Sequence, residues 1–189
     1  MAHSHGGRSS ESLLDKGTIL RELDIRPGQA VLDAGCGNGY MAKEFAHRVG
    51  DMGKVYALDP DKAAIETLRL ETQGSNIEAI EGDVTKTTVL ATASVDLIYL
   101  STVFHGFSKD QIRGFGNEVG RLLKPRARLA VVEIDKRNTP FGPPLDTRFS
   151  PTELKQAIAM VPLKTVEVGQ YFYMQLFGEE MSDVLNAIT

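Results

Sequence analysis

Short apolar runs alternate with amphipathic segments along the chain, and this pattern predicts alternating strands and helices. Five runs have the length and apolar content of buried strands, at residues 30–34, 54–59, 76–80, 95–101 and 128–135. Helical spacing or helix start and stop signals mark five other segments, at residues 12–23, 38–49, 61–72, 109–123 and 151–160. Asp61, Ser108 and Ser150 are the expected N-caps. Such alternation predicts an α/β fold with helices on both faces of a mainly parallel sheet.

The C-terminal part of the chain breaks this alternation. Residues 163–168 and 171–177 both have the composition of strands, and only Gly169 and Gln170 separate them. Two residues can close only an antiparallel hairpin, so these strands are expected to pair antiparallel. The polar, proline-containing residues 136–150 predict a long loop, which we expect to form part of the mouth of a binding site together with the N-terminal helix.

Length and cysteine content limit the kind of protein. The 189 residues are enough for one domain, and we expect a flexible tail at residues 1–10 and a single domain at residues 11–189. One cysteine cannot form an internal disulfide or a cysteine-only zinc site. His3 and His5 in the tail are expected to be solvated, so no metal site is predicted.

Charge and hydropathy argue against two kinds of partner. The net charge is −4, and the basic cluster over residues 121–137 is interpreted as a solvated helix end, so no nucleic acid is expected to bind. No apolar run is long enough to span a bilayer, and no secretory signal is visible. We therefore expect a cytoplasmic protein that does not bind membranes.

The most informative motif is the loop after the first predicted strand. Its sequence is Asp33-Ala34-Gly35-Cys36-Gly37-Asn38-Gly39. The three glycines allow the backbone to approach a ligand closely, and a helix N-terminus follows with free N–H groups. Dinucleotide-binding loops have the longer spacing G-x-G-x-x-G and hold a pyrophosphate, which Asp33 would repel. A carboxylate at this position favours a ligand that carries a cation.

Two further acidic residues follow predicted strands. Asp59, which precedes Pro60, can accept hydrogen bonds from both hydroxyls of a ribose. Dinucleotide-binding folds place an acid similarly, so Asp59 alone leaves both ligand classes open. Asp83, which precedes Val84, can accept a hydrogen bond from an adenine amino group; the alternative is an N-cap for a helix over residues 84–90.

Together, these motifs resemble those of the class I S-adenosylmethionine-dependent methyltransferases, especially the small bacterial and archaeal members related to the quinone C-methyltransferase group. VLDAGCGNGY is similar to the first motif of the family, ALD to its second-strand acid and EGD to its adenine motif. LLKPRARLAVVE is similar to the approach to its fifth strand, with Arg126-Ala127 in place of the usual glycines. The resemblance implies a three-layer, Rossmann-like fold whose seven-stranded, mostly parallel sheet has an antiparallel last strand.

The resemblance also implies S-adenosylmethionine as the cofactor and transfer of its methyl group by in-line displacement. Asp33 would lie near the methionine amino group, Asp59 at the ribose, and Asp83 with Val84 at the adenine. The expected cofactor-binding residues are Asp33, Gly35, Cys36, Gly37, Asn38, Gly39, Asp59, Pro60, Asp83, Val84 and Ser101.

The acceptor is expected to bind after the fourth strand. His105 is the candidate catalytic base because histidine titrates near neutral pH; the alternative is a histidine that shapes its loop by bonding a backbone carbonyl. Glu133 and Asp135 share a strand face and one could reach the acceptor, although ion pairs with the basic cluster are the commoner outcome. Tyr171 and Tyr173 also share a face and could line a pocket, although ordinary packing is commoner.

The size of the chain leaves no room for a separate substrate domain, which favours a small-molecule acceptor and a monomer or homodimer. Methyltransferases acting on nucleobase amines or glutamine carry an Asp/Asn-Pro-Pro-aromatic motif after the fourth strand, and it is absent here. Two other functions stay open. One is a non-catalytic module that binds S-adenosylmethionine or S-adenosylhomocysteine, and the other is a nicotinamide-dependent oxidoreductase.

Overall fold

The computed structural model describes residues 10–178, which contain one seven-stranded sheet. The strands are β1 (Ala30–Ala34), β2 (Lys54–Asp59), β3 (Ile77–Glu81), β4 (Val95–Ser101), β5 (Leu123–Ile134), β6 (Val161–Glu167) and β7 (Phe172–Gly178). Their order in the sheet is β3-β2-β1-β4-β5-β7-β6. The neighbouring pairs β3-β2, β2-β1, β1-β4 and β4-β5 are parallel. Strand β7 runs antiparallel to both of its neighbours, β5 and β6. The predicted α/β fold with an antiparallel last strand is confirmed.

Five α-helices lie in the described residues, one before β1 and four between strands. They are α1 (Lys16–Leu23), α2 (Tyr40–Val49), α3 (Lys62–Glu71), α4 (Lys109–Leu122) and α5 (Pro151–Ala157). Ser108 and Ser150 form capping boxes, and the carboxylate of Asp61 accepts hydrogen bonds from two backbone N–H groups of α3, which confirms the three predicted N-caps. None of the helices between residues 10 and 178 is long and apolar enough to cross a bilayer.

One predicted helix is divided in the structure, and the helix considered as the alternative for Asp83 is absent from the described residues. The helix predicted over residues 12–23 is divided into a short 3-10 helix, Ser10–Leu13, and α1, because the carboxylate of Asp15 accepts a hydrogen bond from the N–H of Thr18 and starts a new helix. The connection between β3 and β4 contains no helix, so Asp83 is not the cap of one. The tail predicted at residues 1–10, with His3 and His5, lies outside the described residues except for Ser10.

Strand β5 begins at Leu123 rather than at residue 128 as predicted. Leu123 pairs with Val95, and the register then shifts before Arg128 pairs with Leu97. Within this irregular stretch Arg126 has a φ of +66°, a left-handed conformation that glycine adopts more easily. Arg126 therefore adopts a glycine-like backbone conformation at a position where the family that the sequence resembles usually has glycine.

The hydrophobic core lies on both faces of the sheet because successive strand residues point to opposite sides. On one face Val31 packs in a cluster with Phe45 of α2. On the other face Leu32 and Ile98 pack in a cluster with Phe115 of α4. Burial on both faces fixes the strand register, since a shift of one residue would exchange the two faces. The carboxyl ends of β1, β2 and β4 therefore meet reproducibly at one edge.

Helix α4 lies very close to the connection between β3 and β4. A Cβ atom on Gly114 would lie 2.0 Å from the carbonyl oxygen of Thr85, so glycine is required for this approach. Further along α4, the buried carboxylate of Glu118 accepts hydrogen bonds from the N–H and the hydroxyl of Thr88, at 2.9 and 2.7 Å. These contacts hold the segment that follows Asp83.

We expect Gly114→Ala to lower the free energy of unfolding by about 1–3 kcal/mol, because the new Cβ must push α4 away from Thr85. Gly120→Ala is the matched control in the same helix, where an added Cβ meets nothing within 4 Å. Alanine there is expected to stabilise the protein by up to about 1 kcal/mol through helix propensity. Urea unfolding measures both effects, and similar values for the two variants would contradict the close approach.

Candidate functional site

A cavity of about 1000 Å³ opens at the carboxyl ends of β1, β2 and β4. Most of the residues predicted from the sequence to form the site line this cavity. They are Asp33, Gly35, Cys36, Gly37, Asn38, Asp59, Pro60, Ser101 and His105. This location is the one at which ligands bind open α/β sheets.

The carboxylate of Asp59 holds the loop that follows β1. One of its oxygens accepts a hydrogen bond from the N–H of Gly37, and the other from the N–H of Asp61, both at 2.8 Å. The loop is also tied to β2, since the N–H groups of Gly35 and Cys36 donate to the carbonyl of Leu58 at 2.7 and 3.1 Å. The loop conformation therefore depends on the end of the neighbouring strand.

The glycines of this loop serve two different purposes. Gly35, Gly37 and Gly39 all have positive φ angles, of 71°, 53° and 75°. A Cβ on Gly39 would lie 2.4 Å from Leu68, so this glycine permits packing. A Cβ on Gly37 would meet nothing within 4 Å, which means that the backbone at Gly37 borders open space. Gly37 is thus the point at which a ligand can approach the main chain.

Asp33 is buried at the wall of the cavity with an unsatisfied oxygen. Its Oδ2 has no hydrogen-bond partner within residues 10–178. Burial raises the pKa of Asp33 to about 7; a hydrogen bond from the backbone of Ala42 acts in the opposite direction, and the charge of Asp59 raises it further. A cationic group in the cavity would relieve both the missing hydrogen bond and the cost of the buried charge.

Tyr99 and Thr102 also lie at this wall. The hydroxyl of Tyr99 is buried and has no hydrogen-bond partner among the described residues, and Tyr99 pairs with Asp33 across β4 and β1. Thr102 has a φ of +57°, which is strained for a β-branched residue. Strained backbone of this kind concentrates at functional sites.

The thiol of Cys36 is not a nucleophile in this site. Burial, and then the negative charges of Asp33 and Asp59, raise its pKa, so the thiol stays protonated at neutral pH. In the region from residue 10 to residue 178, no three His, Cys, Asp or Glu side chains gather as metal ligands.

Gly39, Asp83 and Val84 do not line the cavity. Asp83 accepts hydrogen bonds from the N–H and the hydroxyl of Thr85, at 2.9 and 2.6 Å. Burial alone would raise the pKa of Asp83, but these hydrogen bonds and the charge of Lys86 lower it overall. Asp83 is therefore a carboxylate held in place beside the cavity, at the end of β3.

His105 lies in a short 3-10 helix, Phe104–Gly106, after β4, and it is bound to the buried carboxylate of Glu133. The Nδ1 atom of His105 is 2.8 Å from Oε2 of Glu133, and the backbone N–H of His105 donates to Oε1 at 3.2 Å. Glu133 does not pair with the basic cluster; among the two predicted acids only Asp135 does, with Arg137. The alternative role considered for His105, a hydrogen bond to a backbone carbonyl, does not describe this contact with a carboxylate.

Apolar side chains form another part of the cavity wall. They are Leu13, Val103, Ile134, Phe141, Pro143 and Phe172. The loop over residues 136–150 thus contributes to the mouth, as predicted, and so does the 3-10 helix before α1. Neither Tyr171 nor Tyr173 lines the cavity: Tyr171 packs edge-on against Phe141, and the hydroxyl of Tyr173 donates to the carbonyl of Phe149. Phe172, on the opposite face, does.

Arg148 organises the loop at the mouth. Its guanidinium is buried and donates to backbone carbonyls and one hydroxyl of the same loop, at distances of 2.8–3.1 Å. Its partners are the carbonyls of Asp135, Arg137, Phe141 and Pro143 and the hydroxyl of Thr139. This set of bonds fixes Phe141 and Pro143 at the cavity.

The chain is similar to known methyltransferases. A family model described as a methyltransferase domain matches residues 31–126. The ubiquinone/menaquinone biosynthesis C-methyltransferase of Hydrogenovibrio crunogenus is 33% identical over 124 residues, which covers 62% of this chain and 46% of that protein. The protein-L-isoaspartate O-methyltransferase of Methanococcus maripaludis is 31% identical over 122 residues, covering 63% and 57%. The chain thus spans about half the length of these relatives.

Among solved structures, a SAM dependent methyltransferase from Aquifex aeolicus has the same fold. It superposes with a TM-score of 0.80 at 28% identity, covering 90% of this chain and 93% of that chain. The agreement extends over nearly the full length of both chains.

The charge of Asp33 is expected to destabilise the fold as the pH rises. The folded protein keeps the Asp33 proton up to about pH 7, whereas an unfolded aspartate releases its proton near pH 4. Wild-type stability therefore decreases over this range relative to Asp33→Asn, which has no such charge. Between pH 5 and pH 8, the free energy of unfolding of the wild type should fall by on the order of 1–3 kcal/mol relative to that of Asp33→Asn. Urea unfolding at several pH values measures this difference.

Asp51→Asn is the matched control, because Asp51 is exposed in a turn. Its stability gap to the wild type should not change over the same pH range. If the difference in free energy of unfolding between Asp33→Asn and the wild type is also independent of pH, the raised pKa of Asp33 is contradicted.

Proposed function

The chain belongs to the methyltransferase domain family, and we propose that it transfers the methyl group of S-adenosylmethionine to a small-molecule acceptor. Membership confirms the resemblance to class I methyltransferases related to the quinone C-methyltransferase group. The protein is an S-adenosylmethionine-dependent methyltransferase by fold and family, and S-adenosylmethionine is its cofactor. The class of the acceptor and the roles of individual residues are the proposed part.

The observation that carries the residue assignment is the unpartnered oxygen of Asp33 behind the glycine loop. S-adenosylmethionine has an amino group and a sulfonium, both positive, and it supplies a methyl group on that sulfonium. Asp33 is assigned to the amino group, because a cation satisfies its buried oxygen. The open space at Gly37 lets the cofactor approach the backbone.

We assign the ribose to Asp59 and the adenine to Asp83 with Val84. Each carboxylate oxygen of Asp59 accepts one backbone hydrogen bond, which leaves a lone pair on each for a ribose hydroxyl. Asp83 and Val84 follow β3, the strand next to β2, at the same edge of the sheet.

The dimensions and walls of the cavity support a small-molecule acceptor. About 1000 Å³ is at the upper end of the range for small-molecule and cofactor sites. The 3-10 helix before α1 and the loop held by Arg148 line the region of the cavity that we assign to the acceptor. Basic residues that could attract nucleic acid are engaged in ion pairs, Arg121 with Glu118 and Lys124 with Asp96. His105, in this region, is the proposed base.

Calorimetric titration of S-adenosylhomocysteine and, separately, of NADH into the purified protein tests the cofactor site. We expect saturable, micromolar binding of S-adenosylhomocysteine and no binding of NADH, because the buried carboxylates repel a pyrophosphate. Binding of NADH alone would overturn the proposal in favour of an oxidoreductase. Tight cofactor binding with no methylated product from a broad acceptor screen would favour a non-catalytic binding module.

Asp59→Ala is expected to weaken S-adenosylhomocysteine binding by about ten- to hundredfold. The variant loses a charged acceptor whose hydrogen bonds contribute about 1.5–3 kcal/mol. Asp51→Ala removes the same charge at an exposed turn and serves as the calorimetric control. An affinity of Asp59→Ala equal to that of the control would show that the ribose assignment is wrong.

A further inference from the structure

We propose that Glu133 positions His105 as the base for an uncharged, largely apolar acceptor that is methylated on a hydroxyl group. This inference rests on the proposed function and adds the chemical class of the acceptor. Three features of the cavity support it: the hydrogen bonds between the two residues, the sign of the charged side chains that line the cavity, and the apolar part of the cavity wall.

The hydrogen bonds of Glu133 select one form of the His105 ring. A carboxylate oxygen can only accept, so Oε2, at 2.8 Å, requires a proton on Nδ1. In the neutral ring the lone pair is then on Nε2. Oε1 holds the backbone N–H of the same residue, which fixes the ring and the main chain together. Glu133 is completely buried, so water does not compete for these bonds.

The charges around the cavity disfavour an anionic acceptor. Asp33 and Asp59 line the cavity, and Glu133 lies behind His105. Lys16 is the only lysine or arginine among the described residues that line the cavity, and it is engaged by Glu44 at 2.6 Å. An acceptor with a carboxylate or phosphate would find no unpaired lysine or arginine side chain among the described lining residues.

The apolar part of the cavity wall suits an apolar body with a flat surface. Phe141 and Phe172 have nearly parallel rings, with centroids 6.2 Å apart and planes 22° apart. Val103 and Ile134 complete this side of the cavity with aliphatic groups. Such a surface gains free energy by burying apolar area, whereas a polar ring system would lose hydrogen bonds to water. Of the polar side chains that line the cavity, we assign the imidazole of His105 to the acceptor's hydroxyl, because it offers the basic nitrogen.

The reaction balances with these residues alone. The hydroxyl proton of the acceptor moves to Nε2 of His105, and a bond forms between the hydroxyl oxygen and the methyl carbon. The carbon–sulfur bond of the sulfonium breaks, and its electron pair stays on sulfur. The products are a methyl ether, S-adenosylhomocysteine and an imidazolium, and Glu133 stabilises the positive charge of the imidazolium.

Glu133→Gln tests the positioning role. The single amide oxygen of glutamine is needed by the backbone N–H of His105, so the NH₂ group faces Nδ1. Because NH₂ can only donate, the ring proton must move to Nε2, and the basic lone pair is lost. Nitrogen-15 NMR of the imidazoles should show His105 protonated on Nδ1 in the wild type and on Nε2 in Glu133→Gln, with His105→Gln used to assign the signals.

The control is Glu167→Gln, an exposed position on β6 with the same loss of charge. It should keep the wild-type spectrum and turnover. Glu133→Gln should bind S-adenosylhomocysteine as the wild type does but turn over roughly 10²–10⁴-fold more slowly. A wild-type ring protonated on Nε2 would overturn the proposal even if the variant fails to fold, and so would normal turnover of a folded Glu133→Gln.

A matched series of naphthalene derivatives tests the acceptor class: 1-naphthol, 1-naphthylamine and 1-naphthoic acid, each with S-adenosylmethionine and product detection by mass spectrometry. We expect the methyl ether of 1-naphthol as the main product. Preferred methylation of the amine or the acid would overturn the hydroxyl assignment, and so would the absence of any product from a protein that binds S-adenosylhomocysteine. Failure to bind S-adenosylhomocysteine would instead contradict the proposed function itself.

Discussion

The site depends first on one buried carboxylate, that of Asp59. It accepts a backbone hydrogen bond from Gly37 in the loop after β1 and another from Asp61 at the start of α3. Asp61 in turn caps α3 through its own side chain. Hydrogen bonds to a charged acceptor are stronger than neutral ones, so this side chain joins the loop, the strand and the helix into one unit. The shape of the loop is therefore set before a ligand binds.

Around that unit, several features that lower the stability of the fold lie at one cavity. Asp33 and Tyr99 each have a buried polar atom without a partner in the part of the chain that the structure describes, and Thr102 is held in a left-handed conformation. Each of these features costs about 1–3 kcal/mol. The described residues contain one other such atom, Oγ of Ser94, which lies away from the cavity, whereas the buried guanidinium of Arg148 is fully engaged. Costs that coincide at a single cavity indicate a site shaped for a ligand rather than for stability.

The parts of this structure that sequence predicts well are those with a local physical cause. β1, β2 and β4 have the predicted bounds because their apolar runs are short and sharply ended, and Asp33 and Asp59 follow from their positions at strand ends. The contact between His105 and Glu133 joins residues 28 positions apart and leaves no local pattern. The early start of β5 depends on Arg126 in a conformation that its residue type does not favour.

One part of the cavity is formed by residues that the family model matches, and the other part by residues outside the match. The glycine loop, Asp59 and His105 all lie within residues 31–126, the part that the family model matches. Glu133 and Phe141, and also Leu13 and Phe172, lie outside it. Relatives named for quinone and for protein acceptors align with this chain, so the shared part does not determine the acceptor. The acceptor must therefore be inferred from the part of the site outside the matched residues, where Glu133 orients His105 and the rings of Phe141 and Phe172 line the cavity.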